Sequence, residues 1–251
     1  MTISEKLREV LQRADSICVL TGAGLSAESG VPTFRGDDGI WKKFKPEELA
    51  SFDAFIRNPA LVWEWYSYRK KVVGEVKPNA GHYALAQMQD LVADFTHVTQ
   101  NVDNLHARAG CRGVLELHGN ITRSLCIDCG RHAGESTQVI FTTVPKCEFC
   151  GGLLRPDVVW FGELLPAAAF EQSVEGARRC DLFLSIGTSG VVHPAASLPL
   201  IAREAGASVV EINPVYTDLS AHVHETLLGK SGDILPQLVT LMKESHHHEP
   251  T

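Results

Sequence analysis

"SICVLTGAGLSAESG", residues 16–30, decides how the rest of the chain is read. Its first five residues are mostly apolar and do not alternate with polar ones, the mark of a strand buried on both faces. Glycines follow at once, so a strand–turn–helix unit is expected. Gly22-x-Gly24-x-x-Ala27 satisfies the dinucleotide-binding form in which alanine replaces the third glycine. Glycine there lets the backbone approach a pyrophosphate, and a helix N-terminus favours its charge. A plain tight turn would read the same way. An ordinary dinucleotide fold also carries an acid about 20 residues on, at the end of a second strand. Residues 41–52 of this chain read "WKKFKPEELASF", which is not strand-like.

Further apolar runs follow: "FTHVT" (95–99), "VLEL" (114–117), "VVWF" (158–161), "LFLSI" (182–186) and "SVVEI" (208–212). Most are separated by helically spaced segments such as "GHYALAQMQDLV" and "HPAASLPLIAREA". The alternation predicts an α/β fold, a Rossmann-like, doubly wound parallel sheet with helices on both faces. Five of the runs end directly in small or polar residues: "TGAG", "QNVD", "HG", "GTS" and "NP". In such a sheet ligands bind outside the carboxyl ends of the strands. Gly22, Gly24, Gln100, Asn101, Asp103, His118, Gly187, Thr188, Ser189 and Asn213 are therefore expected along one cleft. Residues 36–76 and 121–154 interrupt the alternation and are expected to form a smaller domain, a helical module plus a zinc ribbon. Residues 1–35, 77–120 and 155–251 make up the Rossmann-like domain in this reading.

The chain has 251 residues, 44% hydrophobic, enough for a sizeable core. A formal net charge of −7 gives no basic footprint, so nucleic acid is not an expected partner. No apolar run is long enough to span a bilayer, and the first fifteen residues carry three acids and lack a signal peptide's apolar core. A cytoplasmic protein of a bacterium or archaeon, a monomer without membrane contact, is expected.

Among seven cysteines, Cys126, Cys129, Cys147 and Cys150 form a C-x2-C-x17-C-x2-C array, the spacing of a zinc ribbon. Four thiolates close a tetrahedral shell and leave no position for water, so the expected role is structural. Cys18, Cys111 and Cys180 lie in or near apolar segments and read as packing residues. His118, in "ELHGN" at a strand end, could serve as a base or as a hydrogen-bonded loop residue. "WEWYSYRKK", residues 63–71, suits a helix with Trp63 and Trp65 in a core and Tyr66 and Arg69, three apart, on one face.

Together, "GAGLSAESGVPTFRG", "TQNVDNLH", "LHGN", the four cysteines, "VVWFGE", "GTS" and "SGDILPQL" occur in an order that resembles the sirtuins, NAD-dependent protein deacylases. The resemblance implies that NAD is consumed as a co-substrate and that one structural zinc is bound. It makes residues 22–41 a cofactor-binding loop, with contacts from Gly22, Ala23, Gly24, Ser26, Glu28 and Trp41. Phe34 would shield the reactive ribose and Arg35 would lie near the phosphates. Gln100, Asn101, Val102 and Asp103 would form the nicotinamide pocket, the Asp holding the carboxamide. Gly187, Thr188, Ser189, Asn213, Pro214, Val215 and Ser231 would contact the rest of NAD. At "INPV" the chain departs from the family, which often has a polar or acidic residue in place of Pro214 or Val215.

The implied reaction has the amide oxygen of an acyl-lysine displace nicotinamide. His118, as general base, then activates a ribose hydroxyl, and lysine and acyl-ADP-ribose are released. The acyl-lysine protein or peptide would pair as an added strand with residues 158–163, touching Val159, Phe161, Gly162 and Glu163. Tyr66 and Arg69 match the Tyr-x-x-Arg pair of the class III branch, which removes succinyl, malonyl and glutaryl groups, and Ala50 matches its small pocket residue. Rival readings are a plain deacetylase, a mono-ADP-ribosyltransferase on the same NAD site, a hydride-transfer dehydrogenase and a zinc-ribbon binding module.

Overall fold

The structure, a computed structural model, describes residues 3–32, 49–133 and 144–246. Phe34, Arg35 and Trp41 lie outside the described residues. Helix α1 (Glu5–Arg13) opens on Ser4, whose hydroxyl accepts the Leu7 N–H, with Glu5 in the first turn and Arg13 in the last to match the helix dipole. Its Leu7 and Leu11 pack under β1 (Ser16–Thr21). Along β1, Ile17 and Val19 enter the core cluster on the α1 side, and Cys18 and Leu20 enter the cluster on the other face. Both faces are buried, which explains the unbroken apolar run.

The chain continues through α2 (Ala23–Ala27), α3 (Phe52–Arg57), α4 (Pro59–Glu75) and α5 (Ala80–Gln89) to β2 (Asp94–Thr99). Then come α6 (Leu105–Arg108), β3 (Leu115–Glu116), β4 (Gly119–Cys126), β5 (His132–Ala133) and β6 (Leu154–Val158). The last part is α7 (Ala167–Arg179), β7 (Leu182–Ile186), α8 (Leu198–Glu204), β8 (Ser208–Asn213), β9 (Glu225–Leu228) and α9 (Ser231–His246).

Six strands form one sheet in the order β3-β2-β1-β7-β8-β9, every pair parallel. Counted along the chain this is the 3-2-1-4-5-6 order of a doubly wound dinucleotide-binding fold. Its topological switch lies between β1 and β7, so the residues after Thr21 and Ile186 stand where such folds take their ligands. Helices α1, α5 and α9 contribute Leu11, Leu85 and Leu238 to the core on one face, and α7 and α8 contribute Ala177 and Ala202 on the other.

A second, antiparallel sheet, β5-β4-β6, is inserted between β3 and β7. It shares a core with α3 and α4 that contains Phe55, Trp63, Tyr66, Ile121 and Trp160. Each fully buried side chain of this size stabilises by roughly 1.5–3 kcal/mol. The Trp63 indole N–H also donates to the Leu154 carbonyl at 2.8 Å, tying α4 to β6. The run "VVWF" is not a strand of the parallel sheet. The strand begins earlier, at Leu154, pairs antiparallel with β4, and ends at Val158. Gly119, with φ 77°, opens β4 against it, and a Cβ there would stand 2.3 Å from the Asp157 carbonyl oxygen.

Candidate active site

Parallel register brings the ends of β1, β2, β3, β7 and β8 to one edge, which collects the strand-end residues expected from the sequence. At the centre two loops touch. The Gly22 N–H donates to the Ile186 carbonyl and the Gly24 N–H to the Gly187 carbonyl at 2.8 Å. A Cβ on Gly22 would lie 2.7 Å from the Gly187 oxygen, and one on Gly24 would lie 2.8 Å from the Gly187 Cα. The glycines of "TGAG" are thus required by loop-to-loop contact at the switch point, a reason that strand-and-turn reading does not supply.

Below this contact, Asn101 binds the turn. Its Nδ2 donates to the Gly22 carbonyl at 2.9 Å and to the Ser26 hydroxyl at 3.0 Å. The Ser26 hydroxyl donates in turn to Asp103, whose Oδ1 also accepts the Leu105 N–H at 2.9 Å. Asp103 is buried, and desolvation raises its pKa above the usual carboxylate value despite these bonds. Beneath Asn101, its own N–H donates to Thr99 Oγ1, which also accepts the Thr21 hydroxyl at 2.8 Å. Thr21 and Thr99 were not singled out from the sequence; the available signal was a threonine closing each of two adjacent strands.

His118 is half-buried just past β3, with Nδ1 3.0 Å from the Gln100 carbonyl. A carbonyl only accepts, so Nδ1 carries the proton and Nε2 presents the lone pair. Burial lowers the ring's pKa below 6.5, partly offset by that bond. The His118 carbonyl accepts the Val159 N–H at 2.9 Å, which joins the ring's backbone to the loop after β6.

That loop is pinned rather than strand-like. The Phe161 N–H donates to Ala50 and the Glu163 N–H to Trp160. The Glu163 carboxylate accepts both terminal nitrogens of Arg155 and the Trp160 N–H, and its pKa is lowered although burial opposes it. Phe161 and Leu164 remain exposed. Glu28 has a comparable structural post: its two carboxylate oxygens accept the Ser231 and Gly232 N–H groups at 2.7 and 3.0 Å, at the start of α9. Asn213 Nδ2 donates to the Val215 carbonyl, Thr188 is buried, and Ser189, Pro214 and Val215 are exposed.

From the other side, α4 presents Tyr66 and Arg69. The Tyr66 hydroxyl, fully buried, accepts the Trp160 indole N–H at 2.9 Å. The Arg69 guanidinium lies 4.6 Å from the Trp65 ring centroid and 5.4 Å from that of Tyr66. Burial lowers its pKa, while Tyr66 and Asp103 favour its charge. Each of Arg69 and Asp103 slightly favours the other's charged form, so helix α4 and the loop after β2 face each other electrostatically.

The four cysteines converge at the far end of β4, their sulfurs all within 4.8 Å of one another. Sγ of Cys126 and Cys150 are 3.5 Å apart, and those of Cys129 and Cys147 3.7 Å. Tetrahedral zinc with Zn–S near 2.3 Å needs sulfurs about 3.8 Å apart, so the set fits that ion. Backbone N–H groups of Cys129 and Asp128 help draw the Cys126 thiol down to about 7.

The Sir2 family profile matches residues 22–194. An NAD-dependent protein deacylase of Aquifex aeolicus is 49% identical over 231 residues, spanning 92% of this chain and 97% of that protein. The solved structure of a Sir2 homolog–NAD complex superimposes with a TM-score of 0.91 at 43% identity, over 97% of this chain and 95% of that one. A Sir2 bound to acetylated peptide gives a TM-score of 0.83 at 28% identity, over 98% and 99%. With the switch-point loops, the Asn101–Ser26–Asp103 cluster and the four-cysteine site all within one continuous match, the chain belongs to the Sir2 family, the sirtuins.

Proposed function

We propose that this chain is an NAD-dependent protein-lysine deacylase that prefers acidic acyl groups, succinyl, malonyl and glutaryl, over acetyl. The observation that carries the preference is Arg69, half-buried with its guanidinium against the Trp65 and Tyr66 rings, where desolvation disfavours its charge. A carboxylate at the end of an acyl chain would offset the desolvation of that guanidinium through a two-pronged, charge-assisted bond. Tyr66 adds to it, because a phenol oxygen that accepts from Trp160 still has its own proton to give. Ala50, buried at the neighbouring turn, leaves room for the chain.

NAD would supply the electrophilic ribose carbon and nicotinamide as leaving group. Asp103, desolvated and held by Ser26 and Leu105, suits a neutral carboxamide N–H rather than a bare cation. His118 would take the proton of a ribose hydroxyl at Nε2, since Nδ1 is committed to Gln100. The protein substrate would lie along the pinned loop at residues 159–163, against exposed Phe161. All three of that loop's odd-numbered N–H groups are spent, on His118, Ala50 and Trp160, so pairing there must draw on the remaining main-chain groups.

The test is an acyl-chain panel on one lysine peptide with NAD, read by mass. Acyl-ADP-ribose and nicotinamide are expected, with succinyl, malonyl or glutaryl ahead of acetyl by about 2–4 kcal/mol in transition-state terms. Arg69→Met should cut desuccinylation far more than deacetylation. Equal losses on both substrates would remove the acidic preference, and ADP-ribosylated protein as sole product would replace deacylation altogether.

A further inference from the structure

Beneath the switch point lies a cluster that the deacylase reading does not use: His82 on α5, His97 on β2, His106 on α6, and Cys111 in the turn beyond. All four are buried, the three histidines to 3% exposure or less. The rings contact one another in sequence, His82 tilted 53° against His106 at 4.9 Å and His106 edge-on to His97 at 4.4 Å between centroids. Among the described residues, both nitrogens of His97, Nδ1 of His106 and Nε2 of His82 have no hydrogen-bond partner. Buried polar nitrogens without partners are costly, and three such rings side by side call for a reason.

Tautomers follow from the partners that are present. His106 Nε2 is 2.9 Å from Thr21 Oγ1, whose own proton goes to Thr99. Nε2 therefore holds the ring proton, and the unpartnered Nδ1 holds a lone pair. His82 Nδ1 accepts the Asn79 N–H at 3.3 Å, so its proton is on Nε2 and it cannot be a ligand there. One donor atom each from His97, His106 and Cys111 lies within 4.8 Å of the others. The arrangement is thus two imidazoles and one sulfur; for His106 the nitrogen left to ligate is Nδ1, since Nε2 is already bonded to a threonine, and such a bond from the second ring nitrogen orients a metal-bound histidine.

We propose that His97, His106 and Cys111 form a second, buried metal site that takes a three-coordinate soft ion, copper(I), distinct from the four-cysteine centre. A thiolate and two imidazoles suit copper or zinc, but zinc prefers a fourth ligand, which His82 in this tautomer does not provide. Binding forms two Cu–N bonds and one Cu–S bond and releases the Cys111 proton; the copper does not change oxidation state. The ion would staple β2 to α6 and the turn after it.

The experiment uses the zinc-loaded chain under anaerobic, reducing conditions, equilibrated with chelator-buffered copper(I), with copper uptake, zinc release and copper-edge X-ray absorption measured together. One copper per chain, no zinc release, and a shell of two nitrogens and one sulfur are expected. His97→Leu and Cys111→Ala should each lose that copper and keep their zinc. Without copper, His97→Leu should melt at or above the parent, because it removes two unpartnered buried nitrogens. No retained copper, copper gained only as zinc is lost into an all-sulfur shell, unchanged uptake by His97→Leu, or a lower melting point for that variant would each overturn the site.

Discussion

With Nδ1 of His118 held by the Gln100 carbonyl at 3.0 Å, only Nε2 can take a proton from a substrate, and it can do so only while the ring is neutral. Burial lowers the ring's pKa below 6.5, so the competent form persists to lower pH than for a free imidazole. With His118 as the proposed base, activity is expected above the lowered pKa and is expected to be lost as pH falls through it. A profile of kcat/KM against pH should place its acid limb below pH 6.5, and His118→Ala should lose roughly 10²- to 10⁴-fold in turnover. An acid limb above 6.5 would contradict the assignment. Asp103 has the opposite sign. Its folded pKa is raised, so its favourable contribution exists at low pH and is lost as pH rises through that value, leaving the buried charge as a cost at neutrality. Asp103→Asn should then melt no lower than the parent while losing activity. A variant that melts well below the parent would make Asp103 a structural residue first.

Glu28 shows how one element is held by another: its carboxylate, just after α2, caps α9 by accepting the Ser231 and Gly232 N–H groups. Glu28→Ala should cost about 1–2 kcal/mol, the range of a lost cap, and lower the melting midpoint by about 2–8 °C. An unchanged midpoint would show that water replaces the cap without loss. That helix was hard to see in the sequence, since Pro236 within it reads as a breaker. Strand β9 was missed as well, being a four-residue edge strand with little burial to pattern it. The central strands β1, β7 and β8 were legible because burial on both faces forces continuous apolar runs. "VVWF" was misplaced for a related reason: an apolar run reports burial and cannot say which sheet buries it. That the strand-end residues share one edge was legible from strand order, whereas the Thr21–Thr99 bond and the contact of Gly22 with Gly187 depend on neighbours distant in sequence.

At the scale of the whole molecule, the cysteine centre and His118 stand at opposite ends of one strand. Cys126 is the last residue of β4, and Gly119, next to His118, is its first. Strand β6 pairs along β4 and takes the Trp63 indole bond, so α4, with Tyr66 and Arg69, rests on the same small sheet. Among the described residues no helix is long and apolar enough to cross a membrane, and each core cluster lies within the protein. Releasing zinc removes the bonds that close the outer ends of β4 and β6, where four thiols within 4.8 Å of one another would otherwise hold little together. The large sheet has its own two cores and does not depend on that closure. Chelation, or Cys129→Ser, is therefore expected to speed backbone hydrogen exchange in β4, β5, β6 and α4 while β1, β7 and β8 stay protected. Deacylation should fall in step with exchange at β4, because that strand carries the disturbance to His118. Uniform loss of protection across both sheets would mean that the molecule unfolds as one unit. Full activity after zinc release would mean that the position of His118 is set by Gln100 and β3 alone.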